Sequence, residues 1–145
     1  MPTRPVPFIV HGRHAVDDGD HDWTLHADYG QELRLREVRN HIIKEKLQNG
    51  ENVSYRSSGW SLFPRLSPNE RATYEPVKTA ESVEVDDIVF CEVQPGHRFY
   101  AHMVLKKQWW DPDQCYYFTI GNIKGSVNGW CRIEHIHGKL ILVET

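Results

Sequence analysis

Seven short runs rich in Val, Ile, Tyr and Phe follow Gly50, and they constrain the fold of this chain more than any other feature. Pro, Gly, Asn or Asp residues separate the runs, which lie at 53–55, 73–77, 84–92, 99–105, 115–120, 131–133 and 140–143. Runs of this length and composition, bounded by turn residues, are typical of antiparallel strands. Their fairly regular spacing predicts a mainly β, partly closed domain.

One helix is predicted before these strands, over residues 29–49. Asp28 can cap its N-terminus and Gly50 can end it. The face that we expect to pack on the sheet carries an apolar stripe formed by Leu35, Val38 and Ile42, with Leu47 close to it. The other face is basic and carries Arg34, Arg36, Arg39 and Lys46. We expect this face in solvent, and the alternative is a surface for phosphate or an acidic partner.

Residues 1–27 differ in composition from the rest of the chain, with three Pro, four His and four Asp. This composition predicts a flexible N-terminal arm, separate from a single β-rich domain at 28–145. A metal ion needs ligands at fixed distances, and an arm of this kind does not hold them. We therefore expect no metal site and no other cofactor.

The charge and cysteine content restrict the partners and the compartment. A net charge of −3 gives no general attraction to nucleic acid or to an anionic membrane, so we expect neither as a partner. The three cysteines are an odd number without CxxC spacing, as in proteins of a reducing compartment. No apolar run approaches the ~20 residues that span a bilayer. These features predict a soluble, cytoplasmic protein.

A serine in a tight, glycine-containing turn follows the first predicted strand, in the run Ser58-Gly59-Trp60-Ser61-Leu62-Phe63-Pro64. A histidine, His102, interrupts a later apolar strand. If the fold brings Ser61 and His102 together, they form a nucleophile beside a base, which is the minimum for acyl transfer. Lys106 and Lys107 rank lower as bases because the strand is expected to leave the sheet there. The non-catalytic alternative is a turn serine and a strand histidine bonded to backbone.

The order of these pieces resembles the LexA-like and signal-peptidase-like serine proteases. Their Ser-Gly-x-Ser-Met-x-Pro signature is similar to the run around Ser61, with Leu62 in the place of Met. Their Gly-Asp-Ile-Val signature is similar to Asp86-Asp87-Ile88-Val89, with Asp86 in the place of Gly. The strand around His102 looks like that of the archaeal and endoplasmic-reticulum signal peptidases, whose base is a histidine. Gly121-Asn122 and Gly138 fall at later positions of the family pattern.

This resemblance covers about residues 52–142, and it implies a fold and an activity. The fold would be the partly closed antiparallel β domain of that superfamily. The activity would be that of a serine endopeptidase in which Ser61 attacks a peptide bond and His102 carries the proton. Ser58 and the backbone amide of Ser61 would stabilise the oxyanion.

The chain departs from the family pattern at the residue that orients the histidine. The archaeal-type enzymes place an Asp in a Gly-Asp-Asn segment, whereas here a glycine is followed directly by Asn122. We expect Asn122, or else Asn128, to orient His102. An amide stabilises an imidazolium less well than a carboxylate does. The alternative function is therefore a non-catalytic protein-binding or regulatory module on the same fold.

Two adjacent tryptophans, Trp109 and Trp110, lie beside Asp111-Pro112 at a predicted hairpin tip. If they are exposed, they form a surface for a partner or for self-association as a homodimer. If they fold back onto the sheet, they belong to the core, and the sequence leaves both alternatives open. The partner that we expect is a peptide or a protein, and a bound peptide would lie extended along a strand edge.

Overall fold

The computed structural model describes residues 29–145, so the predicted arm at 1–27 lies outside the described residues. In the described part, one helix precedes a single curled sheet of seven antiparallel strands. The predicted mainly β class with one preceding helix is therefore confirmed. Within residues 29–145, no helix combines the length and the apolar content needed to cross a membrane.

Each predicted run contains or overlaps one strand of the sheet. Helix α1 is Tyr29–Gln48. The strands in chain order are β1 Val53–Arg56, β2 Arg71–Pro76, β3 Ile88–Val93, β4 Arg98–Trp110, β5 Cys115–Gly121, β6 Val127–Cys131 and β7 Ile136–Glu144. Their order across the sheet is β1-β2-β7-β3-β4-β5-β6, which leaves β1 and β6 at the two ends.

The β6 end of the sheet curls back toward β3. The backbone N–H of Gln94 donates to the carbonyl of Trp130 at 2.8 Å, and the N–H of Trp130 donates to the carbonyl of Gln94 at 3.1 Å. Gly129 permits this approach, because a Cβ there would lie 2.1 Å from the Gln94 carbonyl oxygen. The sheet is therefore partly closed, and the curl brings β6 next to the pair formed by β3 and β4.

Helix α1 packs on the sheet by a different face from the one predicted. Ile43 and Leu47 are buried on this face. Gly138 of β7 lets the helix approach closely, since a Cβ there would lie 2.8 Å from Leu47 Cδ1. The prediction that the apolar stripe packs on the sheet is wrong, because about half of each side chain is exposed in Leu35 (45%), Val38 (57%) and Ile42 (48%).

A buried ionic cluster helps to decide which face of α1 meets the sheet. Glu92 Oε1 lies 3.0 Å from Lys44 Nζ and 2.8 Å from His137 Nε2, so the cluster joins α1, β3 and β7. Burial raises the pKa of Glu92, but the hydrogen bonds from His137 and Lys44 outweigh it and leave that pKa below its ordinary value. Arg36, which we predicted in solvent, is buried instead, because it lies on the same side of α1 as Ile43.

Candidate active site

Ser61 lies in the turn between β1 and β2, held between a buried and an exposed side chain. Gly59 has a φ of +82°, in the left-handed region that favours glycine, which explains a glycine two residues before the serine. Leu62 is buried in the core and anchors the turn. Trp60 is 67% exposed and contacts the ring of Phe63. The turn therefore leaves Ser61 at the boundary between core and solvent.

His102 lies in the middle of β4 and is almost fully buried. It pairs with Val89 of β3, and its ring stacks on that of Tyr100 with centroids 4.9 Å apart. Its Nε2 atom lies 2.8 Å from Ser61 Oγ. The structure thus brings into hydrogen-bond contact the two side chains that the sequence suggests as nucleophile and base.

Asn128 of β6 completes the arrangement. Its Oδ1 accepts a hydrogen bond from Nδ1 of His102, and both side chains are buried. Because Nδ1 carries the proton of that bond, Nε2 of the neutral ring is left as the acceptor for the Ser61 hydroxyl. Ser61, His102 and Asn128 therefore form a triad in which the amide fixes the tautomer of the imidazole.

Asn122, which we expected to orient the ring, has a different partner set. Its Oδ1 accepts from the backbone N–H groups of Lys124 and Ser126, each at 3.0 Å, and so closes the loop between β5 and β6. Ile123 in this loop donates its N–H to the carbonyl of Ser61 at 3.0 Å. Asn122 therefore orders the loop that holds Ser61, and Asn128 takes the position at the imidazole.

The environment of His102 determines its protonation state. Burial lowers its pKa to about 4, while the hydrogen bond from Nδ1 to Asn128 acts in the opposite direction. At neutral pH the ring is therefore uncharged and able to accept the proton of Ser61. Its basicity is low because the ring is buried, and the Asn128 amide supplies no negative charge that would offset the burial.

Of the other residues singled out in the sequence, Ser58 lies beside Ser61 and Lys107 lies elsewhere. Ser58 lines the same pocket as Ser61 and His102. Lys107, one of the two lower-ranked bases, binds the carbonyl of Ala80 and the carboxylate of Glu84. It is therefore engaged with another part of the chain.

The two tryptophans lie at the end of the long β4–β5 hairpin. Trp109 is 49% exposed and Trp110 is 55% exposed. The indole N–H of Trp109 donates to Asp111 at 2.7 Å, and its ring contacts Tyr116. The pair is therefore half exposed on the sheet surface rather than part of the core.

Asp86, where the serine-protease signature has glycine, adopts a glycine-like conformation. Its φ is +80°, a value that costs an aspartate more than a glycine. The carbonyl of Asp86 accepts a 2.6 Å hydrogen bond from Arg65, which follows the Ser61 turn. The segment before β3 is thereby tied to the turn that carries the serine.

Comparison with protein families, curated proteins and solved structures finds no match to this chain. In residues 29–145, no group of three or more His, Cys, Asp or Glu side chains is placed to hold a metal ion. The case for a function therefore rests on the geometry of Ser61, His102 and Asn128.

Proposed function

We propose that this protein is a serine peptidase of the Ser–His–Asn type. The observation that carries the proposal is the 2.8 Å contact between Ser61 Oγ and His102 Nε2. A hydroxyl and a neutral imidazole at this distance, with the second ring nitrogen held by Asn128, meet the geometric requirements for nucleophilic catalysis. The thiols of Cys91, Cys115 and Cys131 are free, which agrees with action in the cytoplasm.

The chemistry proceeds in two halves with balanced proton transfers. Ser61 Oγ attacks the peptide carbonyl as its proton moves to His102 Nε2, and the Ser61 amide with the Ser58 hydroxyl stabilises the oxyanion. The imidazolium then protonates the leaving amine, and an ester of Ser61 remains. Water attacks this ester with His102 again as base, so that the carboxylic acid leaves and Ser61 regains its proton.

Asn128 orients the imidazole in this scheme but gives the imidazolium no countercharge. The missing countercharge and the weak basicity of the buried ring both make the proposed peptidase slow. The scheme therefore predicts faster, more easily detected turnover with substrates that have an activated carbonyl than with ordinary peptides.

We also propose that the chain belongs with the LexA-like and signal-peptidase-like serine proteases. Three placements support this: Ser61 in the turn after β1, His102 inside β4, and Asp86 with a positive φ where that superfamily has glycine. A serine hydrolase of another lineage that reached the same triad is the competing explanation.

A second candidate function is peptide or protein binding without hydrolysis. The low pKa of His102, about 4, favours it, because a weak base accepts the Ser61 proton reluctantly. In that case the pocket that Ser58, Ser61 and His102 line contacts a bound chain, which is released uncut.

Incubation with a library of synthetic peptides, followed by mass spectrometry for new termini, tests hydrolysis against binding. New termini are expected with the wild-type chain and none with Ser61→Ala. The matched control is Ser82→Ala, since Ser82 is an exposed serine whose hydroxyl donates to the nearby Thr79 carbonyl at 2.8 Å. Cleavage that persists in Ser61→Ala, or a wild-type chain that binds peptides without cutting them, contradicts the peptidase.

A further inference from the structure

Trp109 and Trp110 lie on opposite faces of the β4–β5 hairpin, because they are consecutive residues of one strand. Trp109 pairs with Tyr116 and contacts its ring. Trp110 pairs with Cys115, on the face of the hairpin that also carries Tyr117. The two tryptophans therefore belong to different surfaces of the sheet.

The surface of Trp110 contains two more aromatic rings, those of Tyr117 on β5 and Trp130 on β6. Trp130 pairs with Thr119, which lies on the same side of β5 as Tyr117. The rings of Tyr117 and Trp130 are in contact, with centroids 5.3 Å apart. Trp110 is 55% exposed, and the other two side chains are half-buried. We call the surface of Trp110, Tyr117 and Trp130 the aromatic face.

Two hydrogen-bond donors on the aromatic face are unused. In residues 29–145, neither the indole N–H of Trp110 nor that of Trp130 donates to an acceptor, whereas the indole N–H of Trp109 donates to Asp111. Such a face suits a ligand that offers both apolar area and acceptors without partners. A polyproline II segment is a ligand of this kind, because its carbonyl groups make no internal hydrogen bonds.

The spacing of the rings agrees with the spacing of prolines in a Pro-x-x-Pro sequence. A polyproline II chain rises about 3.1 Å per residue with about three residues per turn, so its prolines at i and i+3 lie on one side, roughly 9 Å apart. Trp110 and Tyr117 are diagonal neighbours on adjacent strands, a relationship that separates residues by about 7–8 Å. Each of the two prolines therefore has an aromatic ring to cover, as in other domains that bind proline-rich segments.

The chain itself contains such a sequence, outside the described residues. Residues 2–7 are Pro-Thr-Arg-Pro-Val-Pro, in which Pro2 and Pro5 have the i, i+3 spacing. Residues 8–28 join this segment to α1, and an extended chain of that length spans up to about 70 Å. A domain of this size is about 35 Å across, so the segment can reach any part of its surface.

The N-terminal half of α1 also lies near the aromatic face. Leu33, in the second turn of the helix, lines a cavity together with Gly96 of the β3–β4 hairpin. In the same hairpin, Gln94 exchanges two backbone hydrogen bonds with Trp130. The chain therefore enters the domain on the side where β6 presents its tryptophan.

We propose that the aromatic face binds the proline-rich segment at residues 2–7 of the same chain. The rings of Pro2 and Pro5 pack on the aromatic side chains, and the two free indole N–H groups donate to carbonyls of the segment. This inference is independent of the proposed peptidase function, because none of the three aromatic side chains lines the pocket of the candidate active site.

The NMR signals of the indole N–H groups in the full-length chain report this contact. The double proline variant, Pro2→Ala/Pro5→Ala, is expected to shift the signals of Trp110 and Trp130. The signal of Trp109 should stay in place, because its N–H has its own acceptor. A difference between wild type and variant that disappears on dilution would show that a second copy supplies the segment, and would overturn binding within one chain.

A peptide with the sequence of residues 1–7, added to the full-length double proline variant, tests the surface itself. The peptide should restore the wild-type position of the Trp130 signal, whereas its counterpart with alanine at both proline positions should not. Trp110→Ala, made in the same background, is expected to weaken binding of the peptide at least about tenfold. Trp109→Ala is the matched control on the opposite face and should leave the affinity unchanged.

Each result either supports or overturns the proposal. Identical signals of Trp110 and Trp130 in the wild type and the double proline variant overturn binding within the chain, whether or not the peptide binds. Equal affinity for the peptide and its alanine counterpart overturns recognition of the prolines. Binding that survives Trp110→Ala overturns the assignment to the aromatic face. None of these results changes the test of hydrolysis by Ser61, which uses a different readout.

Discussion

The backbone amide of Ile123 donates a 3.0 Å hydrogen bond to the carbonyl oxygen of Ser61. This bond joins the turn that carries Ser61 to the loop between β5 and β6, and β6 carries Asn128. The loop is itself closed by Asn122, so the two asparagines serve the site in different ways. Asn128 acts on the imidazole, whereas Asn122 acts on the backbone of the serine.

Replacement of Asn122 tests this division. Asn122→Ala removes the acceptor for two backbone N–H groups, so we expect the free energy of unfolding to fall by about 1 kcal/mol. The reaction of Ser61 with an organophosphorus reagent should also slow several-fold. Asn122→Asp keeps the acceptor and should retain both properties. Urea denaturation and intact-mass kinetics measure the two effects, and wild-type reactivity in Asn122→Ala would contradict the link.

Asn128→Asp tests the role of Asn128 at the imidazole. A carboxylate beside Nδ1 favours the charged ring, so the pKa of His102 should rise from about 4 by at least about one unit. The NMR shift of the His102 ring protons against pH measures this change. At pH 7 the reaction of Ser61 should become faster, because the base is stronger. An unchanged His102 titration would show that residue 128 does not control the ring.

The buried imidazole also predicts how stability depends on pH. The unfolded chain binds a proton at His102 below about pH 6.5, whereas the folded chain binds it only near pH 4. The folded state is therefore favoured by the neutral His102 ring above pH 6.5, and this contribution to the free energy of unfolding is lost as the pH falls toward 4. Between pH 7 and pH 4.5 the loss from this residue is about 2 kcal/mol.

Urea denaturation at the two pH values measures that loss. The pKa values of Glu92 and His137 are also lowered in the folded chain, so they too make its stability depend on pH. The contribution of His102 is therefore the difference between wild type and His102→Gln. The variant should lose less stability than the wild type over the same interval. An identical loss in both chains would contradict the assignment to His102.

Asp86→Gly should stabilise the fold. A positive φ of +80° is strained for aspartate and not for glycine, so we expect a gain of about 0.5–1 kcal/mol. Asp87→Gly is the matched control and should destabilise, because Asp87 Oδ2 accepts the N–H of Glu84 at 2.8 Å. Thermal denaturation of both variants shows whether each substitution raises or lowers the stability. A loss of stability in Asp86→Gly would show that its side chain has a stabilising role.

The sequence predicts the type and the order of the elements well, and their extents less well. Strand β4 runs to Trp110, although the predicted run stops at 105. The extension has polar residues at 106–108, a composition typical of a loop, but backbone pairing with β5 continues there, with Lys106 opposite Thr119 and Lys107 opposite Phe118. Backbone hydrogen bonds to a neighbouring strand leave no trace in local composition, so this extension was not predictable.

The face of helix α1 could not be predicted for a related reason. Leu35, Val38 and Ile42 have the spacing of an apolar face and nevertheless remain exposed. The orientation depends on a glycine in β7 under Leu47 and on Glu92 facing Lys44, and both partners are distant in sequence. Helical periodicity alone contains no information on either contact.

Within the site, Ser61 and His102 were identifiable because a glycine turn and a histidine in an apolar strand stand out locally. Asn122 and Asn128 were both candidates to orient His102, and only the fold distinguishes them. Its place at the ring depends on the closure between Gln94 and Trp130, which Gly129 permits. The sequence contains a glycine beside Asn128, but it does not indicate that this glycine packs against Gln94.

Site-resolved labelling with a fluorophosphonate, measured by peptide mass spectrometry, tests the central claim most directly. The account predicts one adduct, on Ser61, that is absent in Ser61→Ala and forms much more slowly in His102→Ala and Asn128→Ala. It also predicts that labelling of the wild type persists at pH 5, since His102 stays neutral down to about pH 4. No adduct after long incubation at pH 8, or one that does not depend on Ser61, would contradict it.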